Sequence, residues 1–148
     1  MSDINHQIGI KASPQEVYEL LTTDQGLSQW WTRDTTGAGG VGSIIKFRFG
    51  DDGPDFEVKE LIANELVVWM HSGTMPDAWM GTEVSFQLRV QDGQTFVRFS
   101  HANWKEPSNF MAHCSMKWAV FLLSLKDVAE IGKGRPFPND IHIDHSEY

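Results

Sequence analysis

A hairpin in the second half of the sequence constrains the fold more than any other feature. Two runs of alternating apolar and polar residues, 82–90 and 95–104, flank the segment QDGQ. An Asp-Gly pair between such runs is the strongest short signal for a two-residue β-turn, and the turn sets the register of the two strands. The hairpin therefore predicts three cross-strand pairs on one face: Leu88 with Val97, Phe86 with Phe99, and Val84 with His101.

The other elements follow from capping signals and from hydrophobic periodicity. Ser13, Pro14 and Glu16 are typical of a helix start, and Thr23 can cap a second short helix. An apolar stripe at helical spacing predicts a long helix over 109–131. Strands are predicted over 5–12, 43–49, 56–61 and 66–72, and the Gly-rich segment 35–42 is predicted to be a loop without regular structure.

This order of elements is typical of an α+β domain. We expect a curved, antiparallel sheet of six strands, with two short helices between its first two strands. The long C-terminal helix is the natural cover for the apolar face of the sheet. We expect a single domain over residues 1–148 with a C-terminal tail from about residue 136, in which the segment HIDHSE (142–147) is solvated.

Three stretches carry a family resemblance over roughly residues 6 to 140. The segments SPQEVYELLTTDQGLSQWWT, GTEVSFQLRVQDGQTFVRFSHANW and SLKDVAEIGKGRPFP resemble the activator-of-heat-shock-protein-90-ATPase-like branch of the START/polyketide-cyclase (SRPBCC) superfamily. The resemblance implies a helix-grip fold, in which the sheet wraps around the C-terminal helix and a deep hydrophobic cavity lies between them. It transfers no catalytic residue, because that branch has no shared catalytic motif.

Charge and cysteine content limit the partners that we expect. With 12 basic and 20 acidic residues the formal charge is −8, which disfavours nucleic acid and anionic membranes as partners. The one cysteine, Cys114, excludes an internal disulfide and suits a reducing compartment. The first ten residues lack the features of a secretory signal, so a cytoplasmic location is expected.

Two histidines are the most informative polar residues of the predicted inner face. If the strand over 66–72 pairs so that Trp69 lies beside Phe86, then His71 lies beside Val84. His71 and His101 would then flank Val84, about 9.5 Å apart. They could bind a ligand carbonyl or hydroxyl, act as an acid and a base, or simply be satisfied histidines near strand ends.

Other chemistry is less favoured. His113 and Cys114 are adjacent on a helix and point about 100° apart, so they cannot easily chelate one metal ion. We expect no metal and no cofactor. Cys114 lies in the apolar stripe of the long helix, which favours an inert, buried thiol over a nucleophile.

The adjacent residues Trp30 and Trp31 cannot both face the same way. One should anchor the short helices to the sheet and the other should border the cavity, but the sequence does not say which. We predict that the residues able to line a ligand cavity are the aromatic, histidine and sulfur side chains of the inner faces. They are Trp30, Trp31, Phe47, Phe49, Phe56, Trp69, His71, Trp79, Phe86, Phe99, His101, Met111, Cys114 and Trp118.

Three functions remain open, in decreasing order of support. The first is binding of a small hydrophobic or aromatic ligand between sheet and helix. The second is a cavity-based enzyme of the cyclase, dehydratase or hydrolase kind, for which only His71, His101 and Cys114 are inward reactive groups. The third is regulation of the chaperone ATPase by protein contact, although the length of the chain leaves no separate docking domain. A homodimer is compatible with all three.

Overall fold

The computed structural model describes residues 1–147, which form one antiparallel sheet and three α-helices. A 3₁₀ turn, Asp77–Trp79, lies between the fifth and sixth strands. The elements are β1 (Ser2–Ile10), α1 (Pro14–Thr22), α2 (Asp24–Trp30), β2 (Asp34–Thr36), β3 (Ile44–Arg48), β4 (Asp55–Ile62), β5 (Leu66–His71), β6 (Glu83–Gln91), β7 (Gln94–Trp104) and α3 (Asn109–Ile131).

The strands lie in the order β1-β7-β6-β5-β4-β3-β2, and α3 contacts β1 and both short helices. This is the helix-grip fold, so the predicted α+β class is confirmed. The sheet has seven strands rather than six, because Asp34–Thr36 pairs with β3 at the edge. Thr35 is buried and its hydroxyl donates to the Thr32 carbonyl oxygen at 2.7 Å, so this end of the predicted loop is ordered before the glycines begin.

The helices begin and end at the predicted signals. The backbone N–H of Glu16 donates to the Ser13 hydroxyl at 3.1 Å, and that of Gly26 donates to the Thr23 hydroxyl at 2.9 Å. Gly26 is required where α1 and α2 meet, because a Cβ there would lie 2.6 Å from the Leu20 Cα. Helix α3 has the predicted bounds and ends at Gly132, whose φ of 80° is left-handed.

One of the two predicted strand registers is confirmed and the other is wrong. Across the Asp-Gly turn, β6 and β7 pair as predicted. Between β5 and β6, however, Trp69 lies opposite Val84 instead of Phe86. Because the shift is two residues, the same side chains still face inward. His71, however, lies beside Thr82 instead of the predicted Val84.

The space between the middle of the sheet and α3 is filled by aromatic rings. Phe86 packs against Trp69 and Phe99 with ring centroids 5.1 and 5.3 Å apart. We call five fully buried aromatic side chains from the middle of the sheet the filled centre; they are Phe47, Phe56, Trp69, Phe86 and Phe99. Within residues 1–147, the cavity predicted between the sheet and the C-terminal helix therefore does not extend into this middle region.

The chain beyond α3, where a tail is predicted from about residue 136, begins with a segment that contacts the rest of the protein. The backbone N–H of Phe137 donates to the Trp31 carbonyl oxygen at 2.8 Å, and its ring packs against Phe49. Further on, the Asp140 carboxylate pairs with Lys117 of α3. Residues 135–141 therefore run back along α3. The backbone hydrogen bond of Phe137 and the ion pair of Asp140 hold this segment against the rest of the protein.

Candidate functional site

A cavity of about 420 Å³ opens at one end of the sheet, beside the N-terminal half of α3. Three parts of the chain enclose it: α3 itself, the turn between β3 and β4, and the loop between β5 and β6. Trp31, at the end of α2, closes the inner side. We call this cavity and the residues around it the hollow end. The residues that line the cavity are Trp31, Phe49, Asp52, Gly53, Pro54, Met75, Pro76, Trp79, Phe110, His113, Cys114, Lys117, Trp118 and Phe121.

The two adjacent tryptophans take different positions. Trp30 is fully buried, and its indole N–H donates to the Leu20 carbonyl oxygen at 2.9 Å, which joins α2 to α1. Its ring meets the edge of Phe86 in the filled centre. Trp31 instead lies between the two regions, with its ring centroid 4.2 Å from that of Phe47 and 4.8 Å from that of Trp118. The Trp31 ring therefore lies between the filled centre and the cavity.

The structure places five of the fourteen predicted ligand-contacting residues on the cavity wall. They are Trp31, Phe49, Trp79, Cys114 and Trp118. The other nine lie elsewhere, in the packed layer between sheet and helices or around it; they are Trp30, Phe47, Phe56, Trp69, His71, Phe86, Phe99, His101 and Met111. Residues of the sheet's inner face mostly contact one another, because their rings are large enough to fill the space beneath α3.

Sequence reasoning missed the other walls of the cavity. Phe110, His113, Lys117 and Phe121 follow one another at helical spacing, on a stripe of α3 adjacent to its core stripe. Two of them are polar, so a search for apolar periodicity passes over them. The aromatic residues at both ends of this stripe are the signal that could have revealed it.

His101 belongs to a closed chain of hydrogen bonds. The Trp118 indole N–H donates to His101 Nδ1 at 3.1 Å, so the proton of the neutral ring is on Nε2. That N–H donates to the Thr82 hydroxyl at 2.9 Å, and the hydroxyl donates to the Trp79 carbonyl oxygen at 2.5 Å. Burial, with a smaller effect from His71, lowers the pKa of His101 to about 3. A histidine that stays neutral and uses both nitrogens orients Trp79 and Trp118; it is not free to move a proton.

His71 does not form an acid–base pair with His101. Its Nε2 lies 2.8 Å from the Met75 carbonyl oxygen, which makes Nε2–H the donor and ties the β5–β6 loop to β5. Both histidine rings pack edge-to-face against Trp79, whose centroid is 6.3 Å from His71 and 4.8 Å from His101. The two histidine rings thus pack against Trp79 and fix the orientation of its ring.

Trp79 and Cys114 are buried residues of the cavity wall that each carry a polar group. Burial raises the pKa of the Cys114 thiol to about 12, and the nearby Trp79 indole N–H offsets this only in part. The thiol is therefore un-ionised at neutral pH and is a poor nucleophile. Trp79 Nε1 is buried and has no hydrogen-bond partner of ordinary geometry among residues 1–147.

The rim of the cavity carries the charges. Lys117 pairs with Asp140, donates to the Ile141 carbonyl oxygen at 3.1 Å, and lies 5.1 Å from the centre of the Phe121 ring. Burial, reinforced by the neighbouring His145 and Lys117, lowers the pKa of His113. The inner wall is thus apolar and neutral, and its ionic groups lie where the cavity meets solvent.

Within residues 1–147, His, Cys, Asp and Glu side chains do not converge in groups of three that could hold a metal ion. No helix in the same range is long and apolar enough to cross a bilayer.

Comparison with known proteins extends the picture from the site to the whole chain. The family model described as activator of Hsp90 ATPase homolog 1-like protein matches residues 11–130. The solution structure of the Aha1 dimer from Colwellia psychrerythraea is 65% identical, with a TM-score of 0.85; the match covers 90% of this chain and 100% of that one.

More distant structures share the fold alone. DynU16, a protein from the dynemicin biosynthetic locus, is 21% identical with a TM-score of 0.75, over 90% of this chain and 49% of that one. CalU16 from Micromonospora echinospora is 17% identical with a TM-score of 0.69, over 88% of this chain and 75% of that one. No functionally curated protein matches the sequence significantly.

Proposed function

We propose that this chain, which belongs to the activator of Hsp90 ATPase homolog 1-like family, binds a small, largely apolar aromatic molecule at the hollow end. The family is a branch of the SRPBCC superfamily, whose helix-grip fold is a ligand-binding fold. The observation that carries the proposal is the cavity itself, about 420 Å³ in volume and walled by aromatic rings from α2, α3 and two loops. Small-molecule sites are typically about 300–1,000 Å³, mostly apolar, with few polar groups.

The packing around the cavity supports a role in binding rather than in catalysis. Its inner polar groups are an indole N–H and an un-ionised thiol, and His101 behind them is neutral. None of these groups can act as a base near neutral pH. They can, however, orient a bound molecule within apolar walls.

Naphthalene titrations of two phenylalanine variants would test the proposal. Cys114→Phe places a ring in the cavity, whereas Leu123→Phe adds the same ring to an exposed position of the same helix. We expect naphthalene to shift the indole N–H signals of Trp31, Trp79 and Trp118 in ¹H–¹⁵N spectra. Affinity should fall at least tenfold in Cys114→Phe and stay unchanged in Leu123→Phe. Absence of binding to the wild type, or equal affinity in both variants, would overturn the proposal.

A homodimer and a cytoplasmic location are further parts of the proposal. The 65% identical Colwellia protein was solved as a dimer, and the single, buried, free Cys114 suits a reducing compartment. Sedimentation equilibrium would test the dimer, and a monomeric mass at all concentrations would exclude it.

Stimulation of the heat-shock protein 90 ATPase is the second candidate function. Its support is the family description and the designation Aha1 of the 65% identical relative. The measurement is the chaperone's ATP turnover with and without this protein. An unchanged rate at saturating concentration would remove this candidate and leave ligand binding untouched.

A further inference from the structure

The buried indole N–H of Trp79 indicates which chemistry the ligand should carry. Trp79 is 8% exposed and lines the cavity, yet its Nε1 lacks a hydrogen-bond partner of ordinary geometry within residues 1–147. A buried donor without a full-strength partner destabilises the protein, and native structures rarely keep one without a reason. The unpaired donor therefore implies an acceptor that the free protein does not supply.

The other groups near this N–H cannot satisfy it. The Cys114 sulfur accepts a hydrogen bond from this N–H, but the bond falls short of ordinary geometry and a thiol sulfur is a weak acceptor. His101 uses both ring nitrogens in its own hydrogen bonds, and the Thr82 hydroxyl accepts from His101 and not from this N–H. The carbonyl oxygen of Met75 already accepts from His71. In the free protein the donor consequently has no acceptor stronger than a thiol sulfur.

The surroundings favour a neutral acceptor over a charged one. The Cys114 thiol can add a second, weak S–H donor, and both groups lie in the inner, aromatic part of the wall. The cationic Lys117 lies at the rim, where Asp140 already neutralises it. Burying a carboxylate among these rings without a free cation would cost far more than burying a carbonyl oxygen.

We propose that the ligand is an aromatic carbonyl compound whose neutral carbonyl oxygen accepts a hydrogen bond from the Trp79 indole N–H. This inference rests on the proposed function, since it names the polar group of the molecule that the hollow end binds. The histidines have a defined part in it: His71 and His101 hold the Trp79 ring in place from behind. The position of that ring then determines which end of the ligand points inward.

A matched pair of probes isolates the hydrogen bond. 2-Acetylnaphthalene and 2-ethylnaphthalene have nearly the same shape, but only the former carries a carbonyl oxygen. The wild type should bind the ketone about fivefold to tenfold more tightly, as expected for one buried hydrogen bond. In Trp79→Phe, which keeps an aromatic ring but removes the N–H, the two affinities should become equal.

The possible outcomes separate this inference from the function on which it rests. If both probes bind and their affinity ratio is the same in wild type and Trp79→Phe, the carbonyl assignment is wrong and ligand binding stands. If neither probe binds the wild type, both proposals fail. Should Trp79→Phe not fold, the wild-type spectrum decides: the Trp79 indole N–H signal should move downfield with the ketone but not with the hydrocarbon. Equal shifts with both probes would refute the hydrogen bond.

Discussion

The filled centre and the hollow end are two parts of one layer between the sheet and α3, yet they are built differently. In the filled centre, Phe86 is fully buried and its ring contacts three aromatic neighbours that are themselves fully buried. At the hollow end, Phe49 is only partly buried and faces the cavity with Trp31 and Phe121. The same residue type therefore supports the fold in one place and encloses space in the other.

The difference arises from what surrounds each ring. The strands of the filled centre bring side chains together at fixed spacing, so their rings interlock. The hollow end is walled partly by the turn after β3 and the loop after β5, which do not place a side chain at every position of the layer. A cavity thus remains where regular strands give way to loops, and substitutions in the two regions should have different consequences.

The largest expected effect is the loss of a ring from the filled centre. Phe86→Ala should lower the free energy of unfolding by about 3–5 kcal/mol, because it opens a void among residues that cannot move to fill it. Phe49→Ala is the matched control at the hollow end and should cost less than half as much, since its ring already borders empty space. Urea unfolding of both variants is the measurement. Equal losses would show that the two regions are packed alike.

Some features of the fold could be predicted from the sequence and others could not, and the difference is whether a feature depends on neighbours in sequence or on packing in three dimensions. The Asp-Gly turn, the helix caps and the bounds of α3 were predicted correctly, because each depends on neighbours in sequence. The period-two strands were also found, although β1 covers Ser2–Ile10 instead of 5–12. The β5–β6 register was wrong because residues 72–82 form a long connection that carries no tight-turn signal. Its true register depends on contacts such as that of His71 with Met75, which no local pattern encodes.

The walls of the cavity were the least predictable part for a related reason. Whether Phe56 or Phe121 borders open space depends on how completely the other rings fill the layer, which is a property of volumes in three dimensions. The role of His101 was also hidden: its position on the inner face was predicted, but not that Trp118 and Thr82 would use both its nitrogens. The sequence predicted that one of the two adjacent tryptophans, Trp30 or Trp31, borders the cavity, but it did not identify Trp31 as that residue.

The second prediction concerns the hydrogen-bonded chain that joins the two regions. The pKa of His101 is lowered from 6.5 to about 3 in the folded protein. Between these values the unfolded chain binds a proton that the folded protein does not, so the free energy of unfolding falls as the pH falls. The slope from this one group is about 1.4 kcal/mol per pH unit, present below pH 6.5 and absent above it.

His101→Gln should remove that part of the slope, measured by urea unfolding at pH 6 and pH 5. His142→Gln is the control, because it removes an exposed histidine. It should leave the pH dependence of the free energy of unfolding unchanged. The variant at position 101 will also be less stable at pH 7, since it disturbs a buried chain, but the slope is independent of that offset. A wild-type slope retained in His101→Gln would mean that His101 is protonated in the folded state.

The smallest expected effect is at the rim of the hollow end, where the returning C-terminal segment meets α3. Asp140→Asn removes the charged partner of Lys117 and should lower the free energy of unfolding by about 1–2 kcal/mol, because the nearly buried carboxylate is lost while the Lys117 side chain stays 24% exposed and can be hydrated. Asp144→Asn is the matched control: Asp144 pairs with His142 in full contact with solvent, and its change should not be measurable. Hydrogen exchange should quicken in residues 135–141 of Asp140→Asn and stay unchanged in β6 and β7. Faster exchange in those strands would instead mean that the rim and the filled centre unfold as one unit, and that the division between the two regions is one of packing only and not of stability.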